Sequence, residues 1–441
     1  SGYVTLSYGY KEYFILNANG RFDASNKFGS RSNERLLPVW SVSGRWNLKE
    51  TFLKSSNFLS ELSLRTSYGT QGNMLEDQSP NLLLKQETLN PMYNENVSTV
   101  YRYPNPNLKW EETRQYNVEL NIGMLDNRLR IGGTFYQKET ENCFTTVQVS
   151  SVNGVPNHSY VMNGGDLHNS GYSIILYTVP VKNKDWQWSI STYFSGNINK
   201  VRSATVEKYT LDDYLNGTAL VDGEAISSFY SYHFLGLSPV NGTPMFNDYT
   251  ERRHLLENKT LEEIIMMTTE KSGQRDPIFI GSLSTSLTYK QFSLSMNMSY
   301  SLGSKVRLFG LYAPIISGVR ADKNVRKEFV NRWMAPGDEK NTNIPAILSP
   351  SNPDYNTYYS HFSTLSAQLT SIEKFANSVW DMYDKSDLRV VSGNYLKCSS
   401  LSLRYTLNSE WLKKTPFSNV QLSLNTMNLF TWSAKALKGQ D

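Results

Sequence analysis

Cysteine and histidine are scarce in this 441-residue sequence, which contains two of the first and five of the second. Cys143 and Cys398 lie far apart, with no Cys-x-x-Cys or Cys/His spacing around either of them. A disulfide framework and a structural zinc site are therefore not predicted. No histidine has a second one three or four residues away, so no metal site is expected among His158, His168, His233, His254 and His361.

Long apolar runs are also missing. Apolar runs such as Ile174 to Leu176 and Pro277 to Ile280 are far shorter than the roughly 18 apolar residues of a transmembrane helix. The mean hydropathy of −0.46 does not argue against a membrane barrel, because barrel strands need apolar residues only at alternate positions. The segment from Ser1 to Leu6 already alternates and has no signal-peptide pattern, so the sequence is expected to begin inside a fold.

Charge and catalytic motifs exclude further classes. The sequence has 44 Lys and Arg against 40 Asp and Glu, and a net charge of +4 is too balanced for binding that depends on phosphate neutralisation. A nucleophile elbow, a P-loop, a dinucleotide fingerprint and a zinc-protease motif are all absent. We therefore predict neither an enzyme nor a cofactor, and no nucleic-acid partner.

The strongest positive signal is a two-residue alternation of apolar and polar side chains. Phe292, Leu294, Met296, Met298 and Tyr300 alternate with serine and asparagine. The same pattern recurs at 117–124 and 400–407. Because successive side chains of a strand point to opposite faces, each of these segments has one apolar and one polar face.

Twelve such segments are predicted to be strands, most of them longer than ordinary globular strands and long enough to cross a bilayer at a tilt. The predicted strands are 2–10, 13–24, 36–48, 58–73, 110–124, 128–142, 165–181, 186–201, 277–289, 292–306, 391–407 and 419–433. Tight turns are predicted at 11–12, 125–127, 182–185 and 290–291, and long structureless loops at 74–109, 143–164, 202–276 and 307–390.

Short turns on one rim and long loops on the other are typical of outer-membrane barrels. The pattern therefore predicts an all-β fold, an antiparallel transmembrane β-barrel wall with short periplasmic turns and long extracellular loops. The aromatic content of 13%, with 28 tyrosines, suits a chain that meets both lipid and water. An antiparallel sandwich also buries one face and wets the other, so a soluble β-rich protein remains an alternative.

Two groups of loop residues are candidates for binding. Asp381, Asp384 and Asp387 recur at every third position and could meet a calcium ion or a sugar hydroxyl, although a polar loop explains them equally well. Loop aromatics could stack on sugar rings, anchor a partner, or pack the loops themselves. These aromatics are Tyr101, Tyr103, Trp110, Tyr355, Tyr358, Tyr359, Trp380 and Tyr383.

Several stretches in a fixed order resemble the SusC/RagA-like TonB-dependent transporters of Bacteroidetes outer membranes. The most specific is PNPNLKWEETRQYNVELNIGMLDNRL, from Pro104 to Leu129. The other stretches are GRFDAS at 20–25, FG at 28–29, LRTSYGTQGN at 64–73, NSGY at 169–172, DWQW at 185–188, SFYSY at 228–232, GL at 236–237, GNYLK at 393–397 and NLFTW at 428–432. The resemblance runs nearly from end to end.

The resemblance implies import of oligosaccharides or peptides, driven by the TonB complex, with a SusD-like lipoprotein as a lid. Residues 1–441 would then be a C-terminal part of the receptor barrel, and the plug domain, the TonB box and the final strand would lie outside it. If the whole barrel has 22 strands, about nine precede this segment and one follows it. On this hypothesis TonB contacts the part outside the segment.

The leading hypothesis is therefore a transporter in the Gram-negative outer membrane, with this chain forming wall and loops. Residues expected to face the substrate or the lid are Tyr101, Tyr103, Tyr355, Tyr358 and Trp380. One rival is a secreted, soluble carbohydrate-binding protein or adhesin, in which Leu294, Met296 and Met298 would be buried instead of meeting lipid. Another is a passive porin, which needs no TonB box.

Overall fold

The computed structural model describes most of the chain as β-structure. The described residues are 2–24, 36–75, 78–79, 81–90, 92–148, 159–203, 209–247, 249–256, 258–312, 324–348, 351–353, 378–413 and 415–438. None of the helices within these ranges is long and apolar enough to cross a membrane.

Twenty-two strands are assigned within the described ranges. In chain order they are β1 (Gly2–Tyr10), β2 (Phe14–Ala24), β3 (Leu36–Asn47), β4 (Leu59–Asn73), β5 (Leu83–Asn90), β6 (Glu95–Arg102), β7 (Glu111–Met124), β8 (Leu129–Glu141), β9 (Phe144–Gln148), β10 (Ser159–Asn163), β11 (Asp166–Lys182), β12 (Trp186–Ser203), β13 (Ser228–Ser231), β14 (Phe234–Leu237), β15 (Pro244–Phe246), β16 (Glu270–Gln274), β17 (Phe279–Tyr289), β18 (Phe292–Leu302), β19 (Lys305–Arg307), β20 (Val390–Ser392), β21 (Tyr395–Thr406) and β22 (Gln421–Ser433).

The helices are short. The α-helices are α1 (Leu48–Phe52), α2 (Leu211–Asn216), α3 (Leu261–Thr268), α4 (Val379–Asp384) and α5 (Ser409–Leu412). Single 3₁₀ turns occupy Thr250–Leu256, Lys327–Asn331, Asp338–Lys340, Asp387–Arg389 and Lys435–Leu437.

Twelve long strands form one antiparallel sheet in which strands adjacent in the chain are mostly neighbours. Their order is β1-β2-β3-β4-β7-β8-β11-β12-β17-β18-β21-β22, with β1 and β22 at the two edges of this sheet. The twelve predicted strands are confirmed, each within about four residues, because the alternation that predicted them follows from a sheet with one apolar and one polar face.

The tight turns lie together on one rim, which we call the turn rim. Non-glycine residues adopt positive φ in three of these turns, at Lys11, at Leu125 to Asn127 and at Lys290. Such a left-handed backbone matches the twist of a short hairpin. The connections 48–58 and 407–420, which contain α1 and α5, belong to the same rim.

The long loops lie on the opposite rim, and they contain secondary structure of their own. The prediction that 74–109, 143–164, 202–276 and 307–390 are structureless is therefore wrong for their described parts. Four two-stranded sheets occupy them: β5 with β6, β9 with β10, β13 with β16, and β14 with β15; a fifth, β19 with β20, joins the two ends of 307–390. Most of these strands have only three to five residues, and a strand that short shows too few alternating positions to be recognised.

Candidate functional site

The sheet has an apolar face whose members remain in register from strand to strand. On β18, Leu294 and Met298 lie opposite Leu287 and Leu283 of β17, and Leu294 also lies opposite Leu403 of β21. Many of these side chains are exposed, including Leu294 at 43%, and Leu424 on β22 at 72%. Exposed apolar side chains arrayed along a whole sheet indicate a surface that contacts something other than water.

Aromatic side chains border this apolar face on both sides. Near the turn rim the ring pairs are Trp46 with Phe52, Trp186 with Tyr289, and Phe292 with Tyr405, with ring centroids 5.6, 4.3 and 4.7 Å apart. Near the loop rim the pairs are Trp40 with Tyr68, Tyr172 with Phe194, and Phe430 with Trp432, at 5.5, 5.9 and 5.2 Å. Such girdles mark the two membrane–water boundaries of a barrel.

The band between the two girdles is nearly as tall as the apolar band of outer-membrane barrels, which is about 25 Å. Phe292 and Tyr300, at its two limits on β18, are eight residues apart, or about 26 Å along the strand. A strand tilt of about 40° reduces this separation to roughly 20 Å along the membrane normal. Within the described strands, no residue in register on this face between the girdles is charged. The apolar face is therefore suited to lipid.

The opposite face of the sheet is lined by small polar side chains that bond across neighbouring strands. Examples are the donation from Asn297 Nδ2 to Ser400 Oγ at 2.9 Å and from Asn117 Nδ2 to Ser67 Oγ at 3.1 Å. Arg45 forms an ion pair with Glu61 on the same face, at 3.3 Å. A polar, hydrated inner face of this kind lines the lumen of wide barrels.

The described parts of the two longest loops, 204–278 and 303–394, pack together into one folded body, which we call the loop unit. Its buried core takes side chains from both loops. The core includes Tyr214, Leu215, Tyr232, Ile264, Ile265, Leu311, Tyr312, Trp380, Met382 and Tyr383. Helices α2 and α3 each begin with a capping box, formed by Thr210 with Asp213 and by Thr260 with Glu263. The loop unit therefore has the ordinary features of a stable small domain.

Buried charged side chains connect separate segments of the loop unit. The Arg307 guanidinium donates to Leu215 O, Tyr230 O and Ser231 Oγ at 2.6, 2.6 and 2.7 Å. Burial lowers the pKa of Arg307 to about 10, which leaves the guanidinium charged at neutral pH. Asp384 accepts hydrogen bonds from the backbone N–H groups of Leu311 and Tyr312 at 2.7 and 2.8 Å. The Arg307 bonds join the two loops, and the Asp384 bonds join two distant parts of the loop 303–394.

Gly242 allows the closest packing in the loop unit. Its backbone has φ of +68°, and a Cβ there would lie 2.3 Å from the Trp333 ring. We expect Gly242→Ala to destabilise the loop unit by about 2–4 kcal/mol, from the left-handed backbone and from overpacking together. Hydrogen exchange around Trp333 measures this loss.

Gly223 provides a matched control for that substitution. It has a similar φ of +79°, but a Cβ there would meet nothing within 4 Å. Gly223→Ala should therefore cost only the backbone contribution of about 1–2 kcal/mol. Equal losses in the two variants would show that contact with Trp333 is not the reason glycine stands at 242.

One exposed group of titratable side chains lies where the two loops of the loop unit meet. His233 Nδ1 lies 2.7 Å from Asp387 Oδ2 and 3.8 Å from Glu270 Oε2. The hydrogen bond to Asp387, and to a lesser degree the charges of Asp387 and Glu270, raise the pKa of His233. Spacing in the sequence could not reveal this group, because its members come from three separate segments.

The raised pKa of His233 makes the contact between the loops depend on pH. The contact contributes fully below the ordinary histidine pKa and loses its contribution as the pH rises through the raised value. In chelator-treated protein, His233→Gln should speed hydrogen exchange in 228–237 at about pH 5.5 and have little effect at about pH 8.5. A difference between the two proteins that does not change with pH would contradict this prediction.

The aromatic residues predicted to form a binding site differ in their exposure to solvent. Tyr101 is 58% exposed at the end of β6, with the Arg102 guanidinium 5.6 Å from its ring, and Tyr103 is half-buried. Trp110 is buried in a small loop core with Leu108. Tyr355 and Tyr358, like Tyr359, lie outside the described residues. Tyr101 and Tyr103 therefore remain predictions.

Trp380 is not at a surface. It is only 5% exposed, its indole N–H donates to Ala346 O at 3.1 Å, and its ring lies 6.5 Å from that of Tyr312. The expectation that Trp380 faces substrate or lid is corrected, since its side chain packs the core of the loop unit. Tyr383, at 2% exposure, has the same role.

The three aspartates at 381, 384 and 387 do not form one site. Asp381 accepts from Ser378 beside the start of α4, Asp384 accepts from two backbone N–H groups, and Asp387 contacts His233. Each carboxylate therefore has its own structural partner, and no shared ligand site follows from their spacing.

A lipid-facing band between two girdles, a polar inner face and folded loops on one rim define an outer-membrane β-barrel wall. The family model described as "TonB dependent receptor-like, beta-barrel" matches residues 1–429. The chain belongs to this family of TonB-dependent receptors, of the SusC/RagA type, located in the outer membrane.

Curated relatives of this chain are also named TonB-dependent receptors. TonB-dependent receptor P3 of Formosa agariphila is 26% identical over 97% of this chain and 40% of its own length. TonB-dependent receptor SusC of Bacteroides thetaiotaomicron is 24% identical over 93% of this chain and 38% of its own length. The chain thus spans about two fifths of the length of these relatives, which are receptors by name.

A solved structure agrees in fold. The structure of the RagAB peptide transporter superposes with a TM-score of 0.77 at 22% identity, and covers 100% of this chain and 44% of its own. The RagAB peptide importer in its open-open state gives a TM-score of 0.74 at 21% identity. These matches support the barrel wall and its loops as one fold.

Proposed function

We propose that this chain forms wall and extracellular loops of a transporter that imports large nutrients, oligosaccharides or peptides, through the outer membrane in a TonB-dependent manner. The observation that supports this proposal is the polar face of the twelve-stranded sheet, which is lined by hydroxyl, amide and some charged side chains. That lining suits a wide aqueous passage for a polar solute. RagAB is a peptide transporter by name, and this supports the peptide alternative by analogy only.

The wall is proposed to act together with further strands and a plug in the full-length protein. The outer edges of β1 and β22 are unpaired in the twelve-stranded sheet, and unpaired strand edges are not tolerated in lipid. In this proposal the substrate binds between the loops and the plug, and pulling by TonB opens a path beside the polar face. The chain has no enzymatic role in this mechanism.

A SusD-like lipoprotein is the proposed partner on the extracellular side, acting as a lid. The loop unit supports this partner because it is folded and internally bonded, and a rigid surface binds with little loss of entropy. Tyr101, 58% exposed on a neighbouring loop, would add an amphipathic contact to the substrate or the lid.

The proposal is tested by uptake of labelled oligosaccharides and labelled peptides into three strains: wild type, a deletion of the parent gene, and a deletion of TonB. We expect uptake of one of the two substrate classes to be lost in both deletions. Uptake lost in the gene deletion but retained without TonB would indicate a passive porin. Unchanged uptake of both classes in the gene deletion would contradict import altogether.

The aromatic prediction is tested separately by replacing Tyr101 and Tyr103 together with alanine. Loss of one stacking contact is worth about 1 kcal/mol, so we expect the apparent affinity for substrate or lid to fall about fivefold or more. Trp411→Ala is the matched control, because Trp411 is 68% exposed on the turn rim. Equal affinity in wild type and the double variant would remove both tyrosines from the site.

A further inference from the structure

His233, Glu270 and Asp387 have the geometry of an incomplete metal-ion site. One ligand atom from each, an imidazole nitrogen and two carboxylate oxygens, lies within 4.8 Å of the other two. Their side chains are 45%, 65% and 35% exposed, so an ion can reach them from solvent without unfolding the loops. Coordination of one ion at about 2.0–2.2 Å requires these atoms to shift by up to roughly an ångström, which surface side chains achieve by rotation. His233 Nδ1 and Asp387 Oδ2 move slightly apart, and Glu270 Oε2 moves closer to them.

The backbones that carry the three side chains are already held together. Glu270, the first residue of β16, pairs with Ser231 of β13, two residues before His233. Tyr232 accepts a hydrogen bond from Asp387 N at 2.9 Å and donates to Lys385 O at 3.3 Å. All three positions are therefore fixed by hydrogen bonds that do not involve the candidate ligand atoms.

The orientation of Asp387 is also fixed from outside the group. Phe234 N donates to Asp387 Oδ1 at 3.1 Å, which leaves Oδ2 directed at the His233 ring. A backbone donor on the second oxygen of a carboxylate is a common outer-sphere contact in metal sites, where it fixes the ligand and tunes its basicity. An isolated surface His–Asp contact does not require this arrangement.

We propose that His233, Glu270 and Asp387 bind one divalent transition-metal ion, with Zn²⁺ the best match. An imidazole nitrogen with two carboxylate oxygens suits borderline metals better than Ca²⁺ or Mg²⁺, which prefer oxygen ligands throughout. Three protein ligands leave a fourth tetrahedral position for water or an external ligand. His233 gives up the proton it shares with Asp387 when the ion binds, so the affinity falls in acid.

The ion would act as a clamp between the two loops of the loop unit. His233 and Glu270 belong to the loop between β12 and β17, whereas Asp387 belongs to the loop between β18 and β21. Coordination adds bonds between segments that are already joined by the backbone hydrogen bonds of Tyr232 and by the donation from Phe234 N to Asp387. Ion binding would therefore slow local opening of both segments together.

The test is titration of the intact, detergent-solubilised protein with Zn²⁺ against a chromophoric chelator, using a purification tag without histidine. We expect saturable binding of one ion, weakened at least about tenfold in both His233→Ala and Glu270→Gln. His254→Ala, a change at another exposed loop histidine, should leave the affinity unchanged. Zn²⁺ should also slow hydrogen exchange in 228–237 and in 385–392 of the wild type, and should not do so in Glu270→Gln.

Glu270→Gln keeps the test independent of folding, because it retains the His233–Asp387 contact and changes only an exposed carboxylate. Absence of saturable Zn²⁺ binding by the wild type would overturn the proposal. So would equal affinity in the wild type and Glu270→Gln, or a loss of affinity in His254→Ala as large as that in His233→Ala. None of these measurements depends on whether the protein transports a nutrient.

Discussion

Replacing Met296 by arginine is expected to lower the free energy of unfolding of the protein in lipid by about 2–4 kcal/mol. Met296 lies on the apolar face of β18, midway between the girdle residues Phe292 and Tyr300. An arginine there places its charge near the bilayer midplane, where neither water nor a counter-charge is available. Equilibrium unfolding of the full-length protein in lipid vesicles measures the loss.

The neighbouring residue supplies the control. Asn297 points to the polar face, where its amide donates to Ser400 Oγ, and an arginine at 297 would project into water. Asn297→Arg should therefore cost less than about 1 kcal/mol, the contribution of one exposed hydrogen bond. Similar losses in the two variants would contradict the assignment of β18 to a lipid-facing wall.

Replacing Asp384 by alanine is expected to destabilise the loop unit by about 2–5 kcal/mol. The carboxylate is 7% exposed and accepts from Leu311 N and Tyr312 N, and both of these residues are also buried. Without it two buried N–H groups lose their acceptor, at about 1–3 kcal/mol each. Native-state hydrogen exchange of 305–312 and 378–392 should then rise strongly, while exchange in the barrel strands stays unchanged.

Asp212→Ala is the matched control for this prediction. Asp212 also joins two segments of the loop unit, through an ion pair with Lys385, but its side chain is 69% exposed. An exposed ion pair contributes at most about 1 kcal/mol. Equal exchange in Asp384→Ala and Asp212→Ala would mean that the buried carboxylate does not hold 305–312 and 378–392 together.

The strands of the wall could be predicted from sequence because the alternation of apolar and polar side chains is visible within each strand alone. In β18, Leu294 and Met296 alternate with Ser295 and Asn297, and the polarity of each residue indicates which face of the sheet it occupies. Lipid on one side and water on the other impose that pattern on every strand, whatever its neighbours are. The turns at Leu125 and Lys290 were predictable for the same reason, since they separate two such strands.

The loop unit could not be predicted in this way, because its contacts join residues far apart in the chain. In the sequence, Trp380 and Tyr383 are aromatic residues of a polar loop. Only their place in one buried cluster with Tyr312 and Ile265 identifies them as core residues. His233 and Asp387 are 154 residues apart and become neighbours through backbone pairing between two loops. Contacts of this kind leave no periodic signal.

Single-cysteine labelling along β7 distinguishes a wall with lipid on one face and water on the other from a sheet that is buried in protein. Cys143 and Cys398 are first replaced by serine in the full-length protein, and each position from 116 to 122 is then given a fluorescent label in lipid vesicles. If the apolar face of β7 contacts lipid, labels at 116, 118, 120 and 122 are quenched by spin-labelled lipid. Labels at 117, 119 and 121 should be quenched only by a water-soluble quencher. If labels at the even-numbered positions are shielded from both quenchers, this face is buried in protein. That result would contradict a lipid-facing barrel wall.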